Sequence, residues 1–241
     1  MLSIITPTMN SGKYIETCID GIRKQDIDMK IEHIIMDNMS SDNTDDVINS
    51  FPEMKNREII HIREKDDGHH DAISKGISMA KGNYIGVCNS SDFYSYEKWF
   101  KEAIDGIKLN NVHCAYASTS IVDEDSLLFV KNFGCLSVRQ MFKMNWESYL
   151  DNGIGFNECS GIFKAEAIKS LMPMTKLEHP WLDVQFRFYE AGFSSIFLLI
   201  PVATTRLHHD SLANQNGKEI EIKAFKKLHD KIENAILQNK E

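Results

Sequence analysis

The sequence predicts an α/β protein, a mainly parallel sheet flanked by helices, and two observations carry that prediction. Three apolar segments each run into polar residues: Ser3 to Asn10, Ile34 to Thr44 and Ile85 to Asp92. Between them apolar residues recur at helical spacing, and strands alternating with helices of this length imply right-handed crossovers and parallel strands. The polar ends of such strands lie along one edge of the sheet, where open α/β folds bind nucleotides. Three polar strand ends in register therefore point to one crevice and to an enzyme.

Each element follows from the local pattern. Leu2 to Thr8 is the first expected strand, and Tyr14 to Lys24 an amphipathic helix with Ile15, Cys18, Ile19 and Ile22 on one face. Ile31 to Met36 is the second strand; a helix capped at Ser41 runs through Val47-Ile48 until Phe51-Pro52 stops it. Glu58 to Ile62 is the third strand, His70 to Ala80 a helix ending near Gly82, and Tyr84 to Cys88 the fourth strand. Beyond Asp92 the alternation loosens. Glu97 to Leu109 reads as helix, Val112 to Val122 as strand, Val138 to Met144 as a short helix, Pro180 to Ala191 as helix and Ser194 to Pro201 as strand. Lys218 to Gln238 is a long helix with Phe225, Leu228, Ile232 and Ile236 aligned on one side. One continuous domain over 1–215 and an appended amphipathic helix over 216–241 are expected.

With 241 residues, 42% of them apolar, the chain can bury a sizeable core. A net charge of −8 and the lack of a basic stripe interleaved with aromatics argue against nucleic acid as a partner. The five cysteines are scattered without CxxC spacing, which predicts reduced, mostly buried thiols and a cytoplasmic protein. The N-terminus enters a strand pattern without a basic region or cleavage site, and no apolar run approaches about eighteen residues. A soluble protein is expected, with contact at the inner face of the membrane left open.

Four segments together, Ser3 to Asn10, Asp37 to Thr44, Asp66-Asp67-Gly68-His69-His70-Asp71-Ala72-Ile73-Ser74-Lys75-Gly76 and Gly82 to Asp92, resemble the family-two nucleotide-sugar glycosyltransferases of the GT-A fold. The third is similar to the family's D-x-G-x-x-D-A-x-N-K-G variant, and the fourth to its G-x-Y-I-x-x-L-N-S-D-D variant, common among bacterial enzymes that build surface polysaccharides. The resemblance implies a Rossmann-like sheet, a nucleotide-sugar-binding half over 1–110, an acceptor-binding half over 111–215, and inverting transfer of a hexosyl or N-acetylhexosaminyl group.

A nucleoside diphosphate sugar needs base recognition, ribose recognition and charge neutralisation. Pro7, Thr8 and Met9 end the first strand where the family packs its base, and Met9 offers a soft surface for the ring, or else joins the core. Asp37 either accepts from base or ribose donors or caps the turn that follows it. Asn38 stands where relatives carry a second acid; an amide can pair with both a donor and an acceptor on the ring, which is compatible with uracil, and UDP is the nucleotide that the resemblance implies. The resemblance gives Asp67, Gly68 and Asp71 contact with the nucleoside part and Lys75 contact with phosphate, whereas the four-residue spacing also fits a solvated Asp71–Lys75 ion pair. His69 and His70 invite a metal reading, but adjacent histidines at a helix start are not expected to share one ion, so zinc is not expected. Asn89, Ser90 and Ser91 precede Asp92, the retained acid of the family's metal motif; Asp92 with phosphate oxygens and water suffices for Mg2+ or Mn2+.

In the second half, Trp181 to Gly192 resembles the family helix that carries the catalytic base, which makes Asp183 the expected base, with Glu178 and His179 as rivals and an ion pair to Arg187 as the alternative role. Arg206 and His209 follow the last strand where relatives fold a loop over the diphosphate, Arg206 toward the donor and His209 toward the metal. Trp146 and Tyr149, ahead of Gly153-Ile154-Gly155, offer an acceptor-sugar platform or core packing. The resemblance thus implies transfer from a nucleotide-sugar donor to a glycan or lipid-linked sugar acceptor. A noncatalytic nucleotide-sugar-binding or scaffolding subunit is the alternative. A nucleotidyltransferase would need a Gly-rich, Arg- and Lys-bearing N-terminal loop that this chain lacks. The C-terminal helix packs on its domain, pairs with a second subunit in a homo-oligomer, or meets the membrane surface.

Overall fold

A computed structural model describes residues 1–123, 129–133, 143–144, 158–175 and 180–207. Its first half repeats strand and helix: β1 (Leu2–Thr8), α1 (Ile15–Arg23), β2 (Ile31–Asp37), α2 (Thr44–Asn49), β3 (Arg57–Arg63), α3 (His69–Met79) and β4 (Tyr84–Val87). The second half holds β5 (Phe93–Tyr94), α4 (Trp99–Asn110), β6 (Cys114–Asp123), β7 (Phe129–Phe133), β8 (Lys143–Met144), β9 (Gly161–Lys164), α5 (Ala165–Lys169), α6 (Pro180–Glu190) and β10 (Ser195–Leu207). One ten-stranded sheet runs in the order β3-β2-β1-β4-β9-β6-β10-β5, with β7 on β6 and β8 on β10.

The parallel part of the expected, mainly parallel sheet is β3, β2, β1 and β4. It breaks at β9, which pairs antiparallel with both β4 and β6, while β10 returns parallel to β6. The sheet is therefore mixed. Neither β9 nor α5 was anticipated, because a four-residue strand and a five-residue helix carry too little periodicity to register.

Burial explains the central strands. Every residue of β1 and β2 is buried, since helices cover both faces of a parallel sheet. Leu2 and Ile4 pack toward Ile22, Trp99, Phe100 and Ile104, and Ile5 packs toward Ile73, Ile77 and Val184 on the opposite face. Polar residues inside these strands are paired: Ser3 Oγ donates to Glu32 at 2.7 Å, and Thr6 Oγ1 meets His33 Nε2 at 2.8 Å. Gly76 lets α3 lie against β1, where a Cβ would strike Ile5 Cγ2. Gly86 serves the seam between the halves, its missing Cβ leaving room for Ile162 Cδ1 at 2.7 Å and Ile4 Cδ1 at 3.0 Å.

Three element boundaries differ from expectation. The second helix starts at Thr44, not after Ser41, because Asp42 accepts the Thr44 amide at 3.0 Å and so fills the capping role. Lys143–Met144, expected as the end of a helix, is a strand, because pairing with Ile196 and Ser195 of β10 overrides local propensity. The last strand runs six residues past Pro201, which is accommodated by register shifts on either side of it. The four described cysteines, Cys18, Cys88, Cys114 and Cys159, are free and buried as expected. Among the described residues no helix is long and apolar enough to cross a membrane. The expected helix at Lys218 to Gln238, Trp146, Tyr149 and the Gly153–Gly155 segment lie outside the described residues.

Candidate functional site

The C-terminal ends of β1, β2 and β4 share one edge of the sheet, and their loops are stapled together. The Asn10 amide donates to Ser40 Oγ, the Ser41 amide to Asn10 Oδ1, and the Ser11 amide to Thr44 Oγ1, each at 2.8 Å. Asp42 completes the staple by accepting the Gly12 amide at 3.0 Å, and with Thr44 these hydrogen bonds outweigh its burial and hold its pKa below the usual value. Ser90 ties the third loop in through Ser11, hydroxyl to hydroxyl at 2.8 Å.

On this frame the expected base-binding residues meet. Pro7 and Thr8 end β1, Met9 is 60% exposed and therefore not a core residue, and Thr8 Oγ1 is buried with no hydrogen-bond partner among the described residues. Asn38 receives the Asp66 amide on its Oδ1 at 3.3 Å, which draws the turn before α3 toward the end of β2. Asp37 is turned inward. Its Oδ1 accepts the Ser40 amide and hydroxyl, and its Oδ2 faces His61 Nε2 at 3.3 Å and Arg63 Nε at 3.4 Å, so the turn-capping role is the one its geometry fulfils.

The turn before α3 rests on Gly68, whose φ of 108° lies in a region that favours glycine. Asp71 reaches back to the Asp67 amide at 3.0 Å, an acidic third helical position closing the helix start. Lys75 sits 3.1 Å from Asp71 and 3.4 Å from Glu64, and its ammonium also donates to the Lys65 carbonyl. The predicted Asp71–Lys75 ion pair is thus formed. Both residues also line an open groove of about 420 Å³ with Ser74, Lys169 and Met172, whose walls include none of Thr8, Asn38 or Asp92.

Asp92 lies at the centre of the edge and is 2% exposed. Its Oδ2 accepts from Cys159 Sγ at 3.1 Å and from Asn89 Nδ2 at 3.2 Å. Burial pushes its carboxyl up to about 6, against the pull of hydrogen bonds from Cys159, Asn89 and the Arg206 backbone; Glu158 adds to the upward push. Burial also raises the Cys159 thiol well above its ordinary value, so it remains a neutral S–H donor. Asn89 Oδ1 is buried and has no hydrogen-bond partner among the described residues. The Asp92 carboxylate and the Asn89 carbonyl oxygen are hard donors, the type Mg2+ and Mn2+ take, so these residues fit such a cation.

Arg206 is inside β10, not on a loop after it, because the strand continues beyond Pro201. Only 6% exposed, it donates to Thr17 Oγ1 at 2.9 Å and to the Ser91 carbonyl at 3.2 Å, with its guanidinium 4.9 Å from the Phe93 ring centroid. It thereby holds the loop that carries Asp92. Asp183, in the first turn of α6 and 8% exposed, accepts from Arg187 Nε at 2.8 Å and Thr175 Oγ1 at 3.0 Å. Its ion pair with Arg187 is therefore present. Glu178, His179 and His209 lie outside the described residues.

Two residues beside Asp92 escaped the reading of the sequence. Glu158 and Cys159 precede β9, and an antiparallel strand brings its starting flank to the edge where its parallel neighbours end. The polar run Glu158-Cys159-Ser160 before Ile162-Phe163 was the available signal. Glu158 Oε1 lies 2.9 Å from His69 Nε2, and the His69 and His70 rings stand edge to face at 4.9 Å. The two histidines were not expected to share one ion, yet ligand atoms of His69, His70 and Glu158 lie within 4.8 Å of one another, where the start of α3 meets the flank of β9.

Comparison with known proteins agrees with this architecture. The family model described as Glycosyl transferase family 2 matches residues 3–169. The glycosyltransferase GlyG of Streptococcus pneumoniae is 36% identical over 92 residues, covering 38% of this chain and 30% of GlyG. Among solved structures, S. aureus TarS in complex with UDP-GlcNAc superposes with a TM-score of 0.68 at 15% identity, covering 87% of this chain and 59% of that one. The mannosyltransferase PcManGT from Pyrobaculum calidifontis, in complex with GDP-Man and Mn2+, gives 0.65 at 15% identity, covering 87% and 58%. These structural likenesses show the GT-A fold. In each comparison the chain spans less than two thirds of the other protein's length.

Proposed function

Because the chain belongs to glycosyl transferase family 2, we propose that it transfers a sugar, with inversion, from a UDP-linked donor to a hydroxyl of a glycan or lipid-linked oligosaccharide in polysaccharide biosynthesis. The observation that carries this reading is the convergence at one sheet edge of exposed Met9, the Thr8 hydroxyl with no partner among the described residues, Asn38, and buried Asp92 with half-buried Asn89. Nucleotide-sugar complexes of TarS and PcManGT, which share the fold, support it.

Met9 and Pro7 offer an apolar surface to the base, while Asn38 and Thr8 offer polar groups that select among bases and ribose hydroxyls. Asp67 and Gly68, on the turn that Asn38 anchors, border the same space. Asp92 and Asn89 would hold Mg2+ or Mn2+, with His209 a further proposed ligand, and a cation held there would supply charge neutralisation for the departing diphosphate. Arg206 keeps the Asn89 to Asp92 loop in place through the Ser91 carbonyl. The acceptor hydroxyl attacks the anomeric carbon opposite the diphosphate, the carbon–oxygen bond to phosphate breaks, and Asp183 takes the hydroxyl proton. Contact of the C-terminal helix with a second subunit or with the cytoplasmic membrane face belongs to the same proposal.

A noncatalytic binding subunit is favoured by one observation, the commitment of Asp183 to Arg187. Turnover separates the two. Incubation with nucleotide sugars and Mn2+ should release nucleoside diphosphate, faster with a hydroxyl acceptor; tight donor binding without any release would establish the noncatalytic reading.

A further inference from the structure

We propose that His69, His70 and Glu158 form a binding site for a zinc-class divalent ion, separate from the oxygen site at Asp92 and Asn89. Two imidazoles and one carboxylate are a donor set that suits Zn2+ with a fourth position left for water, and one that Mg2+ does not favour. No other group of three such side chains converges among the described residues.

Geometry and access both support the assignment. A tetrahedral ion with bonds of about 2.0–2.2 Å places its ligand atoms roughly 3.4 Å apart. The His69–Glu158 pair, at 2.9 Å, opens slightly to admit it, and the other separations, none above 4.8 Å, close by side-chain rotation. Side-chain exposures of 21% for His69 and 18% for Glu158 leave a route for the ion and its water. Gly68 cannot be replaced lightly, since its positive φ starts α3 so that both rings face Glu158.

The electrostatic setting favours a cation. Glu158, Asp92 and Asp66 surround His69 with negative charge, a field that attracts a metal ion. The same ion offsets the repulsion between Glu158 and Asp92. Its position beside the proposed donor crevice means that zinc binding and donor binding influence one another.

The test uses the full chain stripped with a chelator and titrated with Zn2+ against a chromophoric competitor. One equivalent should bind, excess Mg2+ should not displace it, and X-ray absorption of the zinc-loaded wild-type protein should show two imidazoles and no sulfur. His70→Ala and Glu158→Gln should each weaken binding at least about tenfold, since even indirect changes to a metal's surroundings have effects of that size. Asp92→Asn should retain it. Failure to bind zinc, a thiolate in the coordination shell, or equal loss in Asp92→Asn would overturn the proposal. The wild-type spectrum decides the matter even where a variant folds poorly, and a protein that binds zinc but transfers no sugar would refute the proposed function alone.

Discussion

The two halves of the sheet reach one edge by different routes. In the first half, three of the four parallel strands deliver residues at or just beyond their C-terminal ends: Thr8 and Met9 from β1, Asn38 from β2, Asn89 to Asp92 from β4. The second half instead delivers the starting flank of an antiparallel strand, Glu158 and Cys159 before β9, and the far end of a bulged strand, Arg206 in β10. A regular βαβ repeat announces its site wherever an apolar run turns polar. A mixed sheet hides its contribution, because whether a strand's beginning or end reaches the edge depends on its direction.

This contrast can be broken at the chemistry first. Asp183→Asn should lower transfer by about a hundred- to ten-thousand-fold, the range of general-base contributions, while leaving donor affinity unchanged, since the proposed base acts on the acceptor hydroxyl. Steady-state rates and donor titration check this; a variant that transfers normally moves the base elsewhere.

The seam between the halves comes next. Gly86→Val should destabilise the protein by about 1–3 kcal/mol in denaturant unfolding, because its side chain would meet Ile162 and Ile4 across both neighbouring strands. Helical glycines sharpen the point: Gly76→Ala should destabilise, as its Cβ strikes Ile5. Gly106→Ala, whose nearest atoms stand 3.9 Å away in open packing, should stabilise by about 0.5–1 kcal/mol. Equal responses from the two would remove the packing argument.

The core of the first half carries a pH signature. Burial lowers the His33 pKa from 6.5 to about 3. Above 6.5 both folded and unfolded chains are neutral there; as pH falls, the unfolded chain gains the proton first, so stability is lost progressively between those values. At pH 5 the loss is about 2 kcal/mol. His33→Gln should be less sensitive by that amount over the same range in chemical unfolding, and an unchanged slope would exclude His33 as the cause.

The first half was legible because periodicity and strand ends coincide: β1 to β4 and α1 to α3 fall within a few residues of expectation. Asp92 also stands at the polar end of an apolar run, but its expected metal role came from the resemblance to the family's acidic motif. Strand β9 was not legible, since Gly161 to Lys164 owe their strand to pairing with Tyr84 to Gly86 and Cys114 to Tyr116. Arg206 was recognised but set on a loop, because Pro201 reads as a terminator and only the partner strand β6 shows that the ladder resumes. The inward turn of Asp37 depended on His61 and Arg63, one strand away, which no local pattern reveals.

The central claim, that the edge around Asp92 holds a nucleotide sugar through a divalent cation, is tested most directly by calorimetric titration of UDP-linked sugars into the wild-type protein and Asp92→Asn. Wild-type protein should bind at least one such donor with Mn2+ and lose that binding in chelator. Asp92→Asn should keep its unfolding midpoint yet bind at least about tenfold more weakly, as loss of an anionic metal ligand requires. Donor binding that is the same with and without metal, and the same in Asp92→Asn, would contradict the account.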